Sequence, residues 1–136
     1  MKININKNLK SAVIYLFTAV FTFIFDRVYA VFSHGVSSKD MSFMWLFLLC
    51  SGALFYLVLY VISDKTKRQP VRLALNIYNS GVAIFVAGML LNGIFEIAGT
   101  SSVFIFYYKF IGIELIAIGF ILTVIFMVKS RDGFLL

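Results

Sequence analysis

Four stretches of the sequence are each long and apolar enough to cross a lipid bilayer. A helix that spans the hydrocarbon core needs about 20 mostly apolar residues. The stretches run from about 11 to 32, 41 to 62, 71 to 98 and 103 to 128, with short segments between them. Short connections make sequence neighbours antiparallel neighbours in space. The sequence therefore predicts an all-α integral membrane four-helix bundle, a single domain over residues 1–136.

The composition agrees with a membrane protein and disagrees with a soluble one. The chain is 62% hydrophobic and 13% charged, whereas a soluble domain is about 45–50% apolar and roughly one quarter charged. Its net charge of +6 does not indicate nucleic-acid binding, because the basic residues flank apolar stretches and form no solvated stripe. We expect the protein to interact with the lipid bilayer and not with nucleic acid. It is also expected to assemble as a homo-oligomer or as part of a larger membrane complex.

Basic residues near the span ends predict the orientation in the cell membrane, because cytoplasmic loops carry an excess of Lys and Arg. The side opposite the termini has only Lys39 between its spans. Both termini of this multi-pass protein are therefore expected in the cytoplasm. The basic residues on the side of the termini are Lys2, Lys7, Lys10, Lys65, Lys67, Arg68, Arg72, Lys129 and Arg131.

The first span has an alternative interpretation as a secretory signal peptide. It follows three lysines and ends near "VYA", where Val28 and Ala30 would flank a cleavage site. Cleavage there would leave the orientation of the other three spans unchanged.

Ionisable side chains inside the spans are the most informative feature, because each costs about 2.5–3.5 kcal/mol at the centre of a membrane helix. At about 1.5 Å per residue, Glu114 lies roughly 16 Å below the outer end of its span, near the midplane. The others lie within about 10 Å of the outer end of theirs, next to the loop that carries His34. These other residues are Asp26, Arg27, Glu96 and Lys109.

Helical spacing places several of these residues on glycine-containing faces, where glycine permits close helix contact. We expect Lys109 to meet Glu96 or Asp26, while Glu114 needs another partner, a proton or a neighbouring subunit. Asn76 and Asn79, nearer the cytoplasm, are expected to make interhelical hydrogen bonds. One face comprises Gly81, Phe85, Gly88, Asn92 and Glu96, and the other comprises Lys109, Gly112, Ile116 and Gly119.

Each of these features also has a purely structural interpretation. The charged pairs could be salt bridges that fix helix register, and Arg27 and Lys109 could extend to the lipid headgroups. A single loop histidine such as His34 is more often a surface residue than a ligand. Ser38 or Asp40 could cap the second helix.

The sequence lacks the usual signatures of cofactors and catalytic machinery. One histidine and one cysteine, His34 and Cys50, cannot form a usual zinc site. There is no glycine-rich phosphate loop and no nucleophile with an adjacent base. We therefore assign no catalytic residue, metal or cofactor, and an enzyme is not the favoured class.

Three segments, "YAVFSHGVSSKDM", "ALNIYNSGVA" and "NGIFEIAGTSS", carry a family resemblance. The chain resembles a family of small uncharacterised four-span membrane proteins of bacteria, with an "FSHGV-S--M" motif in the outer loop. That family tends to have a proline where this chain has Lys39. The resemblance implies that His34, Gly35, Glu96 and the "AGTSS" loop belong to one outer-face feature, and it implies no substrate.

Three function classes follow from the outward-facing polar residues. The favoured class is a binding or accessory subunit that recognises a small ligand, a lipid headgroup or a partner protein. The alternative is a small transporter or channel for a cation or proton, and the second alternative is an intramembrane enzyme on a lipid or envelope substrate. A transport path needs polar residues along its whole length, and few polar residues lie in the cytoplasmic half of the spans. This shortage favours binding over transport. The site candidates are Asp26, Arg27, His34, Asn92, Glu96, Lys109 and Glu114.

Overall fold

The computed structural model describes residues 7–66 and 70–129, and these ranges contain four long helices and no strand. Each helix is long and apolar enough to cross a membrane, by length and composition. The prediction of an all-α, four-helix membrane protein is confirmed. Lys2, Lys67, Arg68 and Arg131, which entered the orientation argument, lie outside the described residues. The helices are α1 (Lys7–Phe32), α2 (Lys39–Thr66), α3 (Arg72–Ile97) and α4 (Phe104–Lys129).

Contacts between consecutive helices run in opposite sequence directions, as antiparallel packing requires. Between α1 and α2, the rings of Phe23 and Trp45 lie 5.5 Å apart, and those of Tyr15 and Tyr56 lie 5.6 Å apart. Residues near the end of one helix therefore contact residues near the start of the next helix. The α3–α4 contacts follow the same rule.

Helices α3 and α4 pack closely because glycines on both helices remove the side chains between them. A Cβ atom on Gly81 would lie 2.5 Å from the backbone nitrogen of Ile116. A Cβ atom on Gly119 would lie 2.5 Å from the backbone nitrogen of Tyr78. Real Cβ atoms do not approach backbone this closely, so only glycine fits at these positions. The predicted glycine faces are confirmed, and they hold the two helices together.

A π-helical segment, Leu49–Leu54, interrupts α2 between the α-helical parts Lys39–Leu48 and Phe55–Thr66. A π turn breaks the regular backbone ladder and frees carbonyl groups for other donors. Here the Tyr78 hydroxyl of α3 donates to the Ser51 carbonyl oxygen at 2.6 Å. This segment was not predicted from the sequence.

A second polar contact ties three helices together in the half of the bundle that includes the start of α1. The Tyr15 and Tyr56 hydroxyls both donate to Asn79 Oδ1, at 2.8 and 2.7 Å. The expectation of an interhelical hydrogen bond is confirmed for Asn79, whereas the Asn76 side chain is exposed.

Candidate functional site

Five polar side chains connect α2, α3 and α4 at the end of the bundle formed by the 33–38 and 98–103 loops. Asn92 Nδ2 donates to Asp40 Oδ2 at 2.7 Å and to Glu96 Oε1 at 3.0 Å. Lys109 Nζ forms an ion pair with Asp40, and the Ser38 hydroxyl donates to Glu96 Oε2. We call these five residues, Ser38, Asp40, Asn92, Glu96 and Lys109, the Asp40 network.

The start of α2 brings this network together. Ser38 precedes the helix in an extended conformation, and its hydroxyl makes no capping hydrogen bond within α2. It reaches Glu96 instead, because Gly93 lets α2 approach α3 closely. A Cβ atom on Gly93 would lie 2.8 Å from Met41 Cβ and 3.5 Å from Ser38 Oγ.

The predicted partner of Lys109 was wrong. Lys109 was expected to meet Glu96 or Asp26, but it pairs with Asp40, and Asn92 connects that pair to Glu96. Helix α2 begins at Lys39, so Asp40 lies in its first turn and reaches α3 and α4. The expectation that Ser38 or Asp40 caps α2 was wrong for the same reason, because both side chains turn to neighbouring helices.

The Asp40 network has an acidic, accessible side. It contains two carboxyl groups and one ammonium group, so its formal charge with all three ionised is one negative unit. The Asp40 and Lys109 side chains are 26% and 31% exposed, and Glu96 is exposed. A cationic group with N–H donors could therefore reach Glu96 without breaking the Asp40–Lys109 pair.

Asp26 and Arg27 both lie on α1, and Asp26 contacts α2 rather than the Asp40 network. Asp26 is 3% exposed and accepts a hydrogen bond from the Ser42 hydroxyl at 3.4 Å. Arg27 Nε is 3.6 Å from Asp26 Oδ2, while the Arg27 side chain is 62% exposed and its guanidinium lies over the Phe23 ring. Asp26 thus stabilises the α1–α2 contact, and the structure shows no hydrogen bond from it to the Asp40 network among the described residues.

His34 belongs to the turn that ends α1. His34 and Gly35 have φ values of 55° and 84°, and the Gly35 backbone N–H donates to the Ala30 carbonyl at 2.9 Å. Left-handed residues at this position terminate helices in this way. The His34 side chain is exposed and makes no hydrogen bond or ion pair with the described residues.

Glu114 lies apart from the other candidates. Its side chain is exposed on α4, and it has no hydrogen-bond or ion-pair partner among the described residues. At about 100° per residue, it lies roughly 200° around the helix from Gly112, which faces α3. The structure therefore directs Glu114 away from the bundle.

An apolar groove lies between α2 and α4, on the surface of α3. Its volume is about 390 Å³. It lies along the three helices that form the Asp40 network, farther from the loops. The groove is lined by Cys50, Leu54, Phe55, Val58, Tyr78, Ile116 and Phe120.

The sequence matches the family described as "Protein of unknown function (DUF2871)" over residues 5–131. The chain belongs to this family. The resemblance to an uncharacterised family is therefore confirmed, while the loop motif and the bacterial origin stay predictions. No curated protein and no solved structure matches the chain.

Proposed function

We propose that this member of the DUF2871 family is a binding or accessory membrane protein, and that the Asp40 network binds the amine of a lipid headgroup. The exposed carboxylate of Glu96 carries this proposal. Ser38 and Asn92 each donate to one of its oxygens and so orient it, yet no base pairs with it among the described residues. Glu96 is one residue from the end of α3, at the depth where headgroups lie.

The predicted orientation of the helices gives the side of the membrane on which the ligand binds. With both termini in the cytoplasm, the Asp40 network faces the outer leaflet. The apolar groove between α2 and α4 lies deeper in the bilayer than this network, where it would accommodate the end of an acyl chain of the same lipid. A headgroup amine at Glu96 and a chain beside Ile116 and Phe120 together describe an amine-bearing phospholipid.

Transport is the alternative function. A layer of buried apolar side chains between the two polar regions of the bundle argues against a transport path. The Asp40 network and the Tyr15–Tyr56–Asn79 contact are separated by buried apolar side chains. The rings of Phe47 and Phe85 lie 4.5 Å apart in this layer. Its buried members include Met44, Leu48, Val82 and Met89.

Native mass spectrometry of the purified protein tests the proposal, with phosphatidylethanolamine, phosphatidylcholine and phosphatidylglycerol added in turn. We expect preferential retention of phosphatidylethanolamine, and a loss of affinity of about ten- to a hundredfold in Glu96→Gln, since a hydrogen bond to a charged group contributes about 1.5–3 kcal/mol. Asp64→Asn is the matched control, because it makes the same chemical change, carboxyl to amide, near the end of α2 at the opposite end of the bundle. Equal retention of all three lipids by the unmodified protein would refute the proposal.

A further inference from the structure

Glu114 is an acidic side chain in the middle of a membrane-spanning surface. It lies ten residues after Phe104, the first residue of α4, which places it about 15 Å along the helix. The hydrocarbon core of a bilayer is about 30 Å thick, so this position is near its middle. Lipid chains offer a carboxyl group no hydrogen bond, and intramembrane acids normally face a protein partner.

The side of α4 that carries Glu114 is otherwise apolar and uncovered. Its members recur at steps of three and four residues, which places them on one face of the helix. All are exposed, and Ala117, the smallest, lies about one turn from Glu114. We call this surface the Glu114 face, and it comprises Tyr107, Phe110, Glu114, Ala117, Ile121, Val124 and Val128.

We propose that the Glu114 face is the contact between two copies of this chain, in which the two Glu114 carboxyl groups hydrogen-bond to each other. A neutral carboxylic acid has one donor and further acceptor capacity, so an identical group at the same depth satisfies both. A two-fold axis along the membrane normal places each residue on that axis opposite its own copy. Ala117 leaves room for the two helices to approach.

Removal of the charge at Glu114 distinguishes a second copy from a different protein that contributes a basic residue. A partner with a basic residue would keep Glu114 ionised, and its contact would be lost when the charge is removed. A pair of identical acids does not depend on charge, so it survives replacement by an amide. This interface is independent of lipid binding at the Asp40 network, because Glu114 points away from α3.

Disulfide cross-linking in lipid vesicles tests the interface. Cys50 is exposed, so the experiment uses a Cys50→Ala background. Ile121→Cys lies on the Glu114 face, whereas Leu122→Cys is at nearly the same depth but about 100° around α4 from Ile121. We expect a cross-linked dimer from Ile121→Cys and not from Leu122→Cys. Equal cross-linking of both variants, or of neither, would overturn the proposal.

Energy transfer between labelled copies in vesicles tests the role of the carboxyl group. Glu114→Gln should retain the dimer, because the amide both donates and accepts. Glu114→Leu should weaken dimerisation by about three- to thirty-fold, the range for hydrogen bonds between membrane helices. The proposal is overturned if the unmodified protein is monomeric at all densities, if Glu114→Leu dimerises equally well, or if Glu114→Gln dissociates.

Discussion

Lys109 on α4 and Asn92 on α3 both bind the same oxygen of Asp40 on α2. One carboxylate thus joins three helices, and Asn92 Nδ2 also donates to Glu96 Oε1 at 3.0 Å. Polar groups inside a membrane helix are costly unless they are satisfied by each other. The Asp40 network satisfies them at the loop end, where the helices also need to be held in register.

The Asp40–Lys109 pair should show direct energetic coupling. Lys109→Met and Asp40→Asn should each lower the free energy of unfolding, and the double variant should lose less than the sum. The two side chains are partly exposed, so we expect a coupling of about 1–2 kcal/mol, between values for exposed and buried pairs. Unfolding in detergent by titration with sodium dodecyl sulfate, followed by circular dichroism, measures it.

The pairing of Glu96 with Lys109 gives a matched control for this cycle. Among the described residues, Glu96 and Lys109 are connected through Asn92 and Asp40, so their coupling should be smaller than that of Asp40 and Lys109. A larger Glu96–Lys109 coupling would show that the original sequence-based pairing was right.

Ser38→Ala should destabilise the protein although Ser38 is outside every helix. Ser38 is 2% exposed, and its loss leaves one oxygen of Glu96 without its donor. We expect a loss of about 1–2 kcal/mol in the same unfolding measurement. Ser37→Ala is the control, because Ser37 is exposed, and an equal effect of both variants would contradict the role of the Ser38–Glu96 contact.

Much of the fold was predictable because span length and glycine spacing are local properties of the sequence. Gly81, Gly112 and Gly119 were assigned to helix-facing positions by periodicity alone. Asp40 was missed because it sits at the boundary of a span, where a one- or two-residue error turns a helical residue into a loop residue. Which base it meets depends on how α2 and α4 approach across α3, and sequence spacing does not contain that information.

Gly119→Ala should weaken the α3–α4 contact. Helix propensity alone favours alanine over glycine by about 1 kcal/mol, so a destabilisation would be a direct sign of packing. A new Cβ atom would lie 2.5 Å from the Tyr78 backbone, which forces the helices apart. We expect a net loss of about 1–3 kcal/mol, whereas Ile113→Ala on the exposed surface of α4 should change stability much less. A stabilised Gly119→Ala would contradict the close contact.

The two tyrosine hydroxyls that share Asn79 as acceptor should contribute non-additively to the free energy of unfolding. Tyr56→Phe and Tyr15→Phe each remove one donor to Asn79 Oδ1. Because either hydroxyl still satisfies that oxygen, the double variant should lose more than the sum of the single losses, each about 1 kcal/mol. Tyr108→Phe, at an exposed position, provides the control, and strictly additive losses would argue against a shared acceptor.

The orientation prediction can be tested by cysteine labelling in intact cells. In a Cys50→Ala background, a membrane-impermeant maleimide should label Ser37→Cys from outside. Thr66→Cys, exposed at the opposite end of α2, should react only after the membrane is permeabilised. The reverse pattern would place the Asp40 network on the cytoplasmic side and refute an outer-leaflet ligand.

The arrangement of the Asp40 network has a consequence for biogenesis. Asp40 precedes Lys109 by 69 residues, so α2 leaves the ribosome well before α4 does. The counter-ion of Lys109 is therefore already in the bilayer when the lysine is inserted. Because α3 and α4 are joined by a short loop and fit through their glycines, they can enter as one helical hairpin. Nascent chains that stop before α4 would keep Asp40 without its base.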